Sequence, residues 1–112
     1  MEAKKYLPLG SVVLLNGGTH RVMVVGFCTI DETVDSKMYD YMGCFYPEGI
    51  FSFENMLAFN HRDVQKIFYM GYSDKEEKAF KVKLVELQQK YADENGNLKV
   101  TPEQILENET NN

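Results

Sequence analysis

Apolar residues fall in short runs through the first part of the chain and in a helical stripe through the last part, with the change near Tyr72. Leu9 to Leu15 is apolar and β-branched, and is bounded by Pro8-Leu9-Gly10 and by Asn16-Gly17-Gly18-Thr19. That pattern predicts a strand and a tight turn, with Asn-Gly-Gly supplying the positive φ that hairpin turns need. His20 to Ile30 predicts the returning antiparallel strand, and Gly26 inside it predicts a bulge or a bend. After a polar loop over 31–37, the aromatic run Tyr39 to Tyr46 predicts a third strand, ended by the turn Pro47-Glu48-Gly49. Asn55 to Phe59 predicts a short fourth strand, Asn60 to Asp63 a polar turn, and Val64 to Tyr69 a fifth strand, with Gly71-Tyr72 closing the sheet region.

The pattern then becomes helical. Ser73-Asp74-Lys75-Glu76 has the form of a capping box. Phe80, Leu84, Leu87 and Tyr91 recur at i, i+4, i+7 and i+11, with Val85 alongside, which defines an amphipathic helix of roughly five turns. Docking of that stripe on the chain's own sheet is favoured over its presentation to a partner helix. Asp93 to Asn97 ends the helix. Thr101-Pro102-Glu103-Gln104 is a second capping box with Pro at the first helical position. The predicted architecture is α+β: a small curled antiparallel sheet or partly open barrel of about five strands, then an amphipathic helix and a short second helix. We read a single domain over 1–112, with a β-rich part at 6–72, helices at 73–92 and 101–107, and a frayed tail at 108–112.

Composition narrows the function classes. Apolar residues make up 44% of the 112 and charged residues 26%, an ordinary globular balance. The net charge of −5 and the scattered Lys and Arg argue against nucleic acid and against an anionic membrane surface. The chain has no apolar run of membrane-spanning length. Met1 to Leu7 has no apolar stretch of signal-peptide type, so a cytoplasmic location is expected. The two cysteines, Cys28 and Cys44, sit in apolar stretches outside any CxxC and read as reduced core thiols.

Little in the chain has the form of a reactive site. His20 and His61 lie in or beside turns, and no nucleophile elbow accompanies them. Asn16 to Thr19 lacks the lysine and the following helix of a phosphate loop. Asp93 to Asn97 puts Gly96 fourth, whereas a calcium loop needs Gly sixth and a Glu twelfth, and Gln104 stands twelfth from Asp93. Glu76 and Glu77 suit a helix's first turn. No cofactor, metal or catalytic residue is assigned.

The surplus is aromatic. Ten of the fourteen Phe and Tyr residues fall between Tyr39 and Tyr72. Strand alternation sends half of each strand to each face, and a domain this small cannot hide all ten rings. Tyr39, Tyr41, Phe45 and Tyr46 on the third strand, Phe51 and Phe53 after it, and Tyr69 and Tyr72 at the end of the sheet are therefore the candidate partner-binding residues. For these rings a core role and a surface role remain open side by side.

The ordered set Tyr6 to Gly18, Val22 to Gly26, Tyr39 to Gly43, Tyr46 to Gly49, Phe59 to Asp63 and Gly71-Tyr72 resembles the domain-of-unknown-function 4176 family over about residues 6–80. Members occur in Gram-positive bacteria, often beside type VII secretion genes and near toxins with long helical targeting domains. The resemblance implies a cytoplasmic chaperone or adaptor for such a toxin, with a helical targeting domain or a small helical secretion partner as its ligand. It implies no enzyme activity and no cofactor, and it carries no binding residues. Two rival readings stand beside it. One is an immunity protein blocking a cognate toxin. The other is a small enzyme or ligand binder, which requires His61, Asp63 and Asp40 to converge on a pocket.

Overall fold

The structure, a computed structural model, describes residues 6–30 and 37–110. The first five residues, all but the last residue of the expected 31–37 loop, and the final two residues of the expected tail lie outside the described residues.

Five strands form one open antiparallel sheet: β1 (Val12–Leu15), β2 (Val22–Ile30), β3 (Met38–Phe45), β4 (Met56–Phe59) and β5 (Val64–Tyr69). Their order is β4-β3-β2-β1-β5, so β4 and β5 are the two edges. The sheet does not close into a barrel. Two helices follow, α1 (Lys75–Tyr91) and α2 (Pro102–Thr110).

The turn between β1 and β2 uses one left-handed glycine, Gly17 at φ 76°, and closes through a Gly18 amide that donates to the Leu15 carbonyl at 2.9 Å. The bulge expected at Gly26 is present: Val24 pairs with Gly43 and Gly26 with Met42, leaving Val25 as the extra residue. The predicted polar turn at Asn60–Asp63 is one turn of 3-10 helix over His61–Asp63.

The sheet's inner face holds the core. Tyr6, Leu7, Val13, Val22, Val24, Tyr41, Phe59 and Leu84 form one buried cluster. Leu84 comes from α1, so the helix docks on its own sheet, as the apolar stripe predicts. Burying a side chain of this kind stabilises by about 1.5–3 kcal/mol. Tyr91 and Ala92 at the end of α1 pack with Met38 in a second cluster, supported by Leu98, Val100 and Ile105. Phe80 of the same stripe stays half outside, its ring 6.2 Å from Phe27.

Both helix starts follow elementary capping rules, with one correction. The N-cap of α1 is Asp74, whose Oδ1 accepts the Glu77 amide at 2.9 Å, while Ser73 Oγ donates to Glu77 Oε1 at 2.5 Å. Ser and Asp are both good caps, and a charged carboxylate also complements the helix dipole, which moves the start one residue on from Ser73. At α2 the expected box forms: the Thr101 amide donates to Gln104 Oε1 at 2.9 Å and the Gln104 amide to Thr101 Oγ1 at 3.2 Å. The helix α2 includes residues 108–110, beyond the 101–107 expected from sequence, and ends at Thr110. Glu109 accepts from the Tyr91 hydroxyl and lies 3.6 Å from Lys90 Nζ, which ties the end of α2 to α1.

Candidate partner-binding surface

The register determines which residues line the sheet's outer face. Val12 pairs with both Met23 and Tyr69, Met23 with Cys44, and Cys44 with Met56. Ladder partners share a face and alternate residues swap faces. The row Tyr69, Val12, Met23, Cys44, Met56 therefore crosses the whole sheet on the side away from α1, with an aromatic residue at the β5 edge and methionine at the β4 edge.

At the β5 edge the ladder is irregular. Val12 pairs with Tyr69 but Val13 pairs with Ile67, so Phe68 is an extra residue in β5. A bulge brings two consecutive side chains toward one side. Phe68 and Tyr69 accordingly line the same outer groove, together with Val12, Arg21, Met23 and Tyr46. Its volume is about 430 Å³. Tyr46 is 38% and Tyr69 63% exposed. The Arg21 guanidinium lies 5.0 Å from the centre of the Tyr46 ring, and Lys66 Nζ lies 4.7 Å from that of Phe68. Such cation–π stacking holds both long side chains against the rings, at about 0.5–1 kcal/mol each when exposed. Next to Arg21, Glu48 is tied to His20, with Nε2 at 2.9 Å from Oε1 and 2.7 Å from Oε2. The His20 hydrogen bond is the main cause that holds the Glu48 carboxyl below its ordinary range, with Arg21 adding to it.

The eight ring residues singled out from sequence separate into three groups. Tyr46 and Tyr69 meet in the groove. Phe51, Phe53 and Tyr72 are exposed elsewhere on the surface, Phe53 by 89% and on one turn of 3-10 helix over Phe53–Asn55. Tyr39 and Phe45 are half-buried, Phe45 beneath the His20 ring at 4.8 Å. Tyr41 is a correction: it is 0% exposed and cannot meet a partner. Its position on the inner face, opposite Phe59 on β4, places its ring in the middle of the core. Sequence reasoning missed Phe68, Met23 and Arg21. Simple alternation puts Phe68 and Tyr69 on opposite faces, and no residue pattern in β5 announces the bulge.

The other predicted meeting place, Asp40 with His61 and Asp63, forms only in part. Asp40, 1% exposed, accepts the His61 amide on Oδ2 at 2.8 Å and Gln88 Nε2 on Oδ1 at 2.8 Å. Gln88 Oε1 accepts from the Tyr6 hydroxyl at 2.7 Å. The Tyr41 hydroxyl accepts the Leu7 amide at 2.9 Å and contacts His61 Nδ1 at 2.7 Å. The Asp63 carboxylate takes a different partner, the Asn60 amide at 2.9 Å. These bonds knit the 6–7 segment, β3, the His61 turn and α1 into one polar network. Burial pushes the Tyr6 and Tyr41 hydroxyls well above their ordinary range. A small cavity of about 70 Å³ touches Asp40, Asn60, Arg62 and Glu94, room for a few waters.

Cys44 is buried and its thiol is pushed up by burial, while Cys28 is half-buried with its Sγ 3.6 Å from the Tyr6 hydroxyl. Asp93 spends its carboxylate on its own loop: Oδ1 accepts the Asn95 and Asn97 amides at 2.9 Å each, and the Asn97 bond is the main cause lowering its pKa. Among the described residues no group of His, Cys, Asp and Glu has the arrangement to hold a metal ion. Among them, too, no helix is long and apolar enough to cross a membrane.

These features define a small α+β domain whose helix covers one face of an open sheet and whose other face offers an aromatic groove at its edge. The chain belongs to the family described as Domain of unknown function (DUF4176), whose sequence model matches residues 6–80. No curated protein and no solved structure matches the chain.

Proposed function

We propose that the protein is a non-enzymatic, protein-binding accessory factor: a cytoplasmic chaperone or adaptor that holds a type VII secreted toxin of Gram-positive bacteria before export. One observation carries the binding part of this reading. Six of the ten rings between Tyr39 and Tyr72 are exposed (Tyr46, Phe51, Phe53, Phe68, Tyr69 and Tyr72), and three of them converge on the outer groove. Exposed apolar surface gathered in one place and rimmed by charge is characteristic of a docking site. The secretion part rests on the family resemblance. The Asp40 network, with its carboxylate oxygens and tyrosine hydroxyls satisfied within the protein, supports a structural role for those residues over a catalytic one.

The test is co-expression with the products of neighbouring genes, followed by affinity capture. Recovery of a toxin's helical targeting region, or of a small helical partner, at roughly one-to-one supports the proposal. Capture of the toxin's catalytic domain, with protection of cells from it, would instead favour the immunity reading. Failure to capture either would refute both.

A further inference from the structure

We infer that the outer groove is selective for an acidic partner segment, one that inserts an apolar side chain between Tyr46, Phe68 and Tyr69 and sets carboxylates against Arg21 and Lys66. This rests on the protein-binding reading and adds to it the chemistry of the ligand.

The charge of the groove is opposite to that of the chain as a whole. The chain carries −5 overall, yet among the described residues that line the groove the only ionic group is the Arg21 guanidinium. A second cation, Lys66, is stacked on Phe68, one of its walls. Both are exposed, and both are already held on aromatic faces. Little side-chain freedom then remains to be lost when a carboxylate arrives, which is the usual cost of a surface ion pair. Glu48, the carboxylate that feels Arg21, is engaged by His20 and leaves guanidinium donors free for a planar oxygen pair. Met23 at the floor is half-buried and unbranched, so it can adapt to the inserted side chain.

The bulges in β5 indicate how the segment is held. Phe68 and Gln65 are both extra residues in that strand, and Lys66 lies between them. Bulges and an edge lysine blunt a free edge against backbone pairing. Side chains in the groove therefore carry recognition, and a strand added to β5 does not. A second depression along α1, of about 440 Å³, is lined by Lys83, Lys90, Glu86 and Glu109 and has no such bias of sign.

The test uses the full chain, labelled with nitrogen-15, and three synthetic hexapeptides with a Leu-Phe centre flanked by glutamates, glutamines or lysines. We expect the glutamate peptide to shift the amide signals of Val12, Met23, Phe68 and Tyr69 and to bind about tenfold more tightly than the glutamine peptide, as two modest ion pairs would give. Arg21→Glu should abolish that preference, and Arg21→Gln should remove roughly half of its free energy. Arg21 is on the surface, so both variants should melt like the parent. Equal binding of the three peptides, a preference for lysine, or shifts confined to other surfaces would overturn the inference. So would peptide-independent, concentration-dependent shifts at these residues with dimer mass in sedimentation, because the occupant would then be a second copy. If a co-expressed partner loses binding on Tyr69→Ala but not on Arg21→Glu, the acidic ligand is refuted while the protein-binding function stands.

Discussion

Tyr41→Phe removes a single oxygen from the core, and the structure says what that oxygen does. It accepts the Leu7 amide at 2.9 Å and meets His61 Nδ1 at 2.7 Å. The ring itself stays: Phe fits the same space against Phe59, whose centre is 5.2 Å away, and against Tyr6 at 5.8 Å. No cavity opens, so the cost lies in the stranded polar groups. His61 is half-exposed and can turn to water. Leu7 is 5% exposed, and its amide loses its acceptor in a dry place. An orphaned buried donor costs about 1–3 kcal/mol. For a domain of this size that corresponds to a fall in Tm of about 4–12 °C. Thermal melts followed by far-ultraviolet circular dichroism would measure it, and urea titration would check that the slope is unchanged. Tyr41→Ala should cost about 3–5 kcal/mol, because it also opens a cavity. A Tyr41→Phe variant that melts within 1 °C of the parent would refute the view that this hydroxyl anchors the chain at Leu7.

Three further outcomes follow from the same structure. Gly71→Ala should destabilise strongly, since an added Cβ would lie 1.9 Å from the Leu9 carbonyl oxygen and 3.0 Å from the Ser11 nitrogen, both backbone atoms that cannot swing away; a chemical melt gives the cost, and a shift under about 0.5 kcal/mol contradicts the close approach. Stability should fall as pH rises beyond about 10: the Tyr6 and Tyr41 hydroxyls have folded-state pKa values raised by burial above the ordinary 10.0, so the stability they confer is full below that value and is lost as pH climbs through it toward the folded pKa. Phenolate absorbance should show these two tyrosines ionising only with unfolding, and early titration of all seven would contradict it. Leu84→Ala should cost about 2–5 kcal/mol, whereas Phe80→Ala, half outside the same helix, should cost much less; equal losses in urea titration would mean that α1 docks differently.

How much of this was legible in the chain depended on how local the governing rule is. Strand periodicity and turn residues placed all five strands to within a few residues, and the Thr101 capping box formed as written, because alternation and capping act over only a few positions. The one-residue slip at Ser73 came from two adjacent residues that both cap well. The excess of rings was readable as arithmetic, but its division was not. Alternation already puts Tyr41 and Tyr46 on opposite faces, but which face turns inward shows only where Tyr41 and its β4 partner Phe59 meet the core. The groove was still less visible, since it depends on Phe68 being an extra residue opposite β1 and on Arg21 arriving from a different strand end. Long-range register decides both, and no window of sequence contains it.

The polar chain from Tyr6 through Gln88 to Asp40 also bears on where this domain can be cut. The matched span ends at residue 80, but Gln88 and Leu84 lie beyond that point and bond or pack to residues inside it. An excised 6–80 fragment would leave the Asp40 carboxylate short of one donor and uncover the inner sheet where Leu84 rests. The matched span and the packed unit thus end at different places, and a fragment that keeps these contacts has to carry α1 through Gln88.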